Sequence, residues 1–189
     1  MKDSQKSNNT VRGQSQRTAK LVKMAMLAAI SLALVLIVRI PFPPAPFLVY
    51  DPADVPIFIG TFAFGPMAGF MITAAVSFIQ AFPLGGDGPI GFCMHLFATG
   101  SFVLVAGFLY QKNKTRKGAI LALFSGALIM TVTMLLWNIL ITPIYMGVPR
   151  DVVMGMIVPI VLPFNLLKSG INAVITFVTY KSIAKFLHR

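Results

Sequence analysis

Long uncharged apolar runs alternate along this chain with short segments that collect most of its prolines, glycines and charges. A first run predicts a helix over residues 21–39, opened by Lys20 and Lys23 and stopped by Pro41, Pro43, Pro44 and Pro46, which cannot continue a helix. Three further runs predict helices over 90–110, 118–142 and 153–181, the last broken near its start by Pro159 and Pro163. Each approaches or exceeds the ~20 residues that a bilayer's hydrocarbon core demands. Residues 1–20, rich in Ser, Asn and Gln with scattered Lys and Arg, read as a flexible cytoplasmic tail rather than a secretory signal. Between the first two runs, PFPPAPFLVYDPAD reads as an extended aromatic loop, long enough to act as a lid.

From Val55 to Phe82 the chain is apolar almost throughout, and Gly65-Pro66 interrupts it. As one kinked span it gives five crossings and puts Lys112, Lys114, Arg116 and Lys117 opposite the basic N-terminal tail. As two helices, about 54–64 and 66–82, it gives six crossings and brings the tail, that basic loop and Lys181/Lys185/Arg189 to one side. Only the second count obeys the positive-inside rule. The expected fold is therefore an all-α integral membrane protein: one six-helix domain over 21–189, with both termini cytoplasmic. Its second helix is short, about 16 Å at 1.5 Å per residue. Short Gly/Pro-interrupted membrane segments often border binding sites, where protein or a cavity replaces lipid.

Composition agrees, with 57% hydrophobic and 11% charged residues and a mean hydropathy of +0.82. The net charge of +11 does not point to nucleic acid, because the basic residues cluster at the ends of apolar runs as cytoplasmic loops do. The acids number five, all Asp, which leaves little material for paired-carboxylate catalysis. A single cysteine, Cys93, excludes an intramolecular disulfide. There is no phosphate-binding GxxxxGK[ST] loop, no HExxH and no GxSxG, so neither ATP hydrolysis nor another enzymatic activity is expected, and no metal site or cofactor.

The polar residues inside the runs are the candidate chemistry. Asn165, Lys168 and Asn172 share one face of the last helix at i, i+3, i+7. A lysine there needs water, a partner or a ligand. It either snorkels to the outer surface or contacts a ligand. Asn138, with Thr131 and Thr142 on the fifth helix, serves either a ligand or interhelical hydrogen bonding. Thr73, Ser77 and Gln80 suit packing, and His95 is a structural histidine or a contact. Trp137, Tyr50 and Tyr145 fit an interfacial aromatic belt, while Phe42, Phe47 and Phe164 are placed to cover a flat ligand. The candidate substrate-binding set is thus Asn138, Asn165, Lys168, Phe42, Phe47, Asp54 and His95. Ala25, Ala29 and Ala33 form a small-residue face on the first helix, which suits close approach by another helix inside or outside the protein.

That alanine face, DPADVPIFIGTFAFGPMAGF and FNLLKSGIN together resemble the riboflavin-specific substrate-binding (S) components of energy-coupling factor (ECF) transporters, the RibU family, over nearly everything after residue 20. The resemblance implies a subunit of a bacterial cell membrane that captures riboflavin from outside. It also implies delivery inward with a membrane coupling subunit and two cytoplasmic ATPases. By the same resemblance Ala25, Ala29 and Ala33 face the coupling subunit, and Asn138, Asn165 and Lys168 line the vitamin site under the 41–53 loop. An S component for another small nutrient and a self-sufficient secondary transporter are the competing readings.

Overall fold

In the computed structural model, which describes the backbone of residues 2–84 and 88–187 and the side chains of residues 13–84 and 88–180, the elements follow the apolar runs closely. They are α1 (Lys2–Ile37), β1 (Ile40–Phe42), β2 (Ala45–Tyr50), α2 (Asp54–Phe64), α3 (Pro66–Ala81), α4 (Gly88–Lys112), α5 (Arg116–Met146), α6 (Arg150–Met156), a π-helical turn (Ile157–Val161) and α7 (Leu162–Leu187). Among the described residues, four helices are long and apolar enough to cross a membrane, and α2 and α3 are shorter apolar helices.

The break at Gly65 is a helix boundary. Gly65 has φ +97, a conformation open to glycine at little cost, and Pro66 occupies the start of α3, where its fixed φ suits a first helical turn. The chain reverses there, so that α2 and α3 lie antiparallel: Gly69 faces Thr61 and Gly60 faces Ile72, each at a distance that leaves no room for a Cβ. Although only 11 residues long, α2 buries every side chain from Asp54 to Phe62. Protein surrounds it where lipid would surround an ordinary span, which is how so short a segment is tolerated at membrane depth.

Two expectations are corrected. The prolines of the 41–53 stretch do not leave it an irregular loop: β1 and β2 pair antiparallel, Ile40 opposite Tyr50 and Pro41 opposite Val49, with an irregularity between Pro41 and Phe42. A two-stranded ribbon has two free edges, so Pro41 and Pro46 are accommodated without a lost ladder bond. The fold is thus mostly helical with a small β-hairpin rather than all-α. The N-terminal stretch expected as a flexible tail is helical from Lys2 and continuous with α1. It contains no proline and is rich in Gln, Lys and Arg, which propagate a helix readily. The last apolar run also starts earlier than 153, as α6 at Arg150; of the two prolines near its start, Pro159 lies within the π-turn and Pro163 in the first turn of α7.

α4 packs between α3 and α5, α7 packs against α5 and α2, and α1 lies along α2 and α3. At the centre Phe58 stacks on Phe102 with ring centroids 3.6 Å apart, above buried Val103, Ala106 and Ala122. Nearer the Gly65 turn, Phe62 stacks on Tyr110 and meets Tyr180 edge-on. Lys20 Nζ donates to the Phe64 carbonyl there, so the turn lies at the end of α1 that carries the basic residues. The outer surface is apolar: α5 alone exposes Leu121, Phe124, Leu128, Val132, Leu136 and Leu140. A continuous apolar stripe of that extent belongs against lipid or another protein.

Candidate functional site

At the end of the helices opposite Gly65, the hairpin, α3, α4, α5 and α7 line a partly open cavity of about 360 Å³. Of the expected ligand contacts, Asn138, Asn165, Lys168, Phe47 and His95 line it together. Phe164 also lines it, and Phe42 stands behind, its ring 5.4 Å from that of Phe164. Asp54 is not in the wall; its carboxylate lies beneath, accepting from Thr99 Oγ1 at 2.9 Å and from Asn172 Nδ2 at 3.2 Å.

Local structure explains where the two asparagines point their groups. Asn138 Nδ2 donates to the Met134 carbonyl one turn back, and Thr142 Oγ1 donates to Asn138 Oδ1. Asn165 Nδ2 donates to the Val161 carbonyl at 2.8 Å, at the end of the π-turn. Each amide is held by its own helix before any ligand arrives, which fixes its orientation. Asn138 and Asn165 are 4% and 3% exposed.

Lys168 does not snorkel. Its Nζ lies 2.8 Å from Asp51 Oδ2 and 3.5 Å from the Val49 carbonyl, across the cavity wall at the foot of the hairpin. Asp51 is itself held, Oδ1 accepting from Ala53 N and its carbonyl from Asn172 Nδ2. Burial pushes the Asp51 carboxyl up, but the Lys168 charge and hydrogen bond, with His95 and the Ala53 N–H, bring it net below the ordinary carboxylate value. Tyr50, whose hydroxyl donates to Asn172 Oδ1 at 3.1 Å, is raised above the ordinary phenol value by burial and then by the Asp51 charge. Ser31 Oγ on α1 donates to the Ala53 carbonyl. These groups form one polar seam joining α1, the hairpin, α2, α4 and α7 under the cavity floor.

Several lining residues were not among those expected. Asp51 is one, though a sequence with so few acids and a lysine inside an apolar run invites a search for that lysine's counter-charge. Gln80 lines the cavity rather than serving packing alone, and Trp137 and Tyr145 stand in its wall, where an interfacial belt was expected. Met94, Met130 and Met134 add pliable apolar wall, and Arg39 sits in the wall as well. Outside the site, Ala25, Ala29 and Ala33 lie on the exposed face of α1, while Met24, Leu27, Ser31 and Val35 turn inward. The side chains of Lys181, Lys185 and Arg189 fall outside the described residues.

Comparison with known proteins gives a consistent result. The family described as "ECF transporter, substrate-specific component" matches residues 19–180. The chain is 31% identical over 181 residues to the riboflavin transporter RibU of Staphylococcus aureus (strain TCH60), covering 92% of this chain and 95% of that one. It is 31% identical over 169 residues to the riboflavin transporter FmnP of Bacillus subtilis (strain 168), covering 84% and 88%. Among solved structures it superposes on the S component of a bacterial ECF transporter with a TM-score of 0.76 and 28% identity, over 92% of this chain and 99% of the other. An S component for biotin shares the fold, with a TM-score of 0.59 at 18% identity over 88% of this chain and 93% of the other. The helical scaffold, the cavity and these matches agree: the chain belongs to the substrate-specific components of ECF transporters.

Proposed function

We propose that this chain captures riboflavin from outside the cell in the cavity beneath the hairpin and delivers it inward with an ATP-driven ECF module. The observation that carries the reading is the convergence of Asn138, Asn165 and Lys168 with aromatic side chains on one cavity, in a chain 31% identical to riboflavin transporters over most of its length. A cavity of this size, mostly apolar with a few placed polar groups, suits a small planar ligand. Riboflavin's ring edge offers carbonyls and an imide N–H, which asparagine matches with paired acceptor and donor and lysine with a strong donor. Phe47, Phe164 and Trp137 supply faces for the ring. His95 completes the wall, and Phe42 and Asp54 act from behind it.

The protein is a multi-pass component of a bacterial plasma membrane. Six crossings with both termini cytoplasmic fit the antiparallel return at Gly65, which lies at the same end as Lys20, and the positive-inside rule. Under this topology the hairpin and cavity face outward. The exposed Ala25, Ala29 and Ala33 give a smooth face on which a membrane coupling subunit docks, and two cytoplasmic ATPases supply the energy.

Purification from flavin-containing cells without added ligand tests the reading directly. A yellow protein with a flavin absorption spectrum is expected. A colourless protein that does not bind added riboflavin overturns it, and titration with biotin alongside separates riboflavin from another vitamin as the ligand of this scaffold.

A further inference from the structure

Among the described residues Asp51 is the one acid that lines the cavity, and its position is fixed by more than its ion pair. Its Oδ1 accepts from Ala53 N at 3.1 Å, its carbonyl accepts from Asn172 Nδ2 at 3.2 Å, and its Oδ2 meets Lys168 Nζ at 2.8 Å. Lysine has three N–H donors. One goes to Asp51 and one to the Val49 carbonyl, leaving one for a ligand in the cavity that Lys168 lines. The other nearby carboxylate, Asp54, is committed to Thr99 and Asn172. Without Asp51, then, Lys168 would lose its ion-pair partner in the wall and keep only the more distant charge of Asp54.

We propose that Asp51 is a positioning and charge-selecting residue: it aims the Lys168 ammonium into the cavity and cancels its charge, so that the site receives an uncharged ligand edge and disfavours an anionic one. This rests on the reading that Lys168 contacts the riboflavin ring. The ring carries its own reporter, because its imide N–H is lost in alkaline solution with a change in the flavin absorption spectrum. An unpaired ammonium beside that edge stabilises the imide anion; a paired one does so far less. The charged and titratable groups around this point are Tyr50 and Asp51 from the hairpin and its foot, Asp54 from α2, His95 from α4, Tyr145 from α5, Lys168 from α7 and Arg39 in the wall.

The test is an alkaline absorbance titration of riboflavin bound to the full-length protein, in wild type, Asp51→Asn, Asp51→Glu and the double variant Asp51→Asn/Lys168→Met. In Asp51→Asn the imide transition should fall by about one pH unit or more. It should stay near the wild-type value in Asp51→Glu and return to it in the double variant. A purely structural role for Asp51 would weaken binding without lowering the transition. An unmoved transition in Asp51→Asn, or one lowered equally in the double variant, overturns the proposal. If Asp51→Asn cannot be purified, recovery of folded protein decides: a double variant recovered at the wild-type elution position supports neutralisation of Lys168, and one lost like the single variant overturns it. Failure of the underlying reading looks different, since wild type would then not bind riboflavin, or Lys168→Met would leave its affinity and spectrum unchanged.

Discussion

The two ends of this helix bundle solve opposite problems. From the centre toward the Gly65 turn the interior is aromatic and interlocked: Phe58 on Phe102, Phe62 against Tyr110 and Tyr180, and Gly107 so close to Pro66 that a Cβ there would lie 2.7 Å from the proline's own. Toward the hairpin, the same helices leave a cavity and lay beneath it a seam of Asp51, Asp54, Tyr50, Thr99, Lys168 and Asn172 in which every polar group finds a partner. Apolar packing is non-directional and tolerates no gaps; hydrogen bonds are directional and can frame an opening. The bundle therefore closes at one end with hydrocarbon and holds a space open at the other with polar bonds.

Substitutions can break this contrast, the largest effects coming from the packed end. Gly107→Leu should abolish recovery of folded protein, because the added side chain would have to occupy the positions of Pro66 and Thr61. Size-exclusion chromatography after solubilisation reports it. Phe102→Ala, at a fully buried stack, should cost about 3–5 kcal/mol of stability, read as a fall in thermal unfolding temperature. Normal stability would show that this end is not the rigid base of the bundle.

At the cavity end the effect should pass from folding to binding. Lys168→Ala removes a charged donor and leaves Asp51 buried without its partner, so riboflavin affinity should fall by about 100-fold. Asn165→Ala should weaken it by about 10-fold, the scale of one lost hydrogen bond with some loss of helix order. Equilibrium titration of flavin fluorescence measures both, and unchanged affinity in both would remove these residues from the site. The smallest effect on binding is expected at a third place. Ala29→Leu and Ala33→Leu should leave riboflavin affinity within about twofold, since exposed substitutions outside a site usually cost little, while uptake by cells falls sharply. Lost binding instead would mean that these alanines support the cavity.

The contrast was only partly legible in the sequence. Charge placement located the helix boundary at Gly65, because membrane topology is written in loop lysines and arginines. The i, i+3, i+7 spacing put Asn165, Lys168 and Asn172 on one face, yet only the first two reach the cavity; Asn172 turns to Asp51 and Asp54 below it. Spacing sets the face but not the depth. Trp137 and Tyr145 read as belt residues because a cavity near the outer boundary and an interfacial belt lie at the same level. The hairpin was hidden by its prolines, which forbid a helix but not a two-stranded ribbon. The Asp51–Lys168 pair spans 117 residues of sequence, a contact that no local pattern encodes.

The π-turn at Ile157–Val161 carries a consequence for how such chains can diverge. A π-turn holds one residue more than the α-helical path it replaces, and one residue is about 100° of helical rotation. Losing Pro159 would remove both the extra residue and a proline that a regular helix does not accommodate, and would let the segment relax toward α-helix. It would also swing everything before the turn by more than a quarter revolution relative to Asn165 and Lys168. A gap of one in this stretch, harmless on a score of hydrophobicity, would thus mark a descendant whose pocket has been rebuilt.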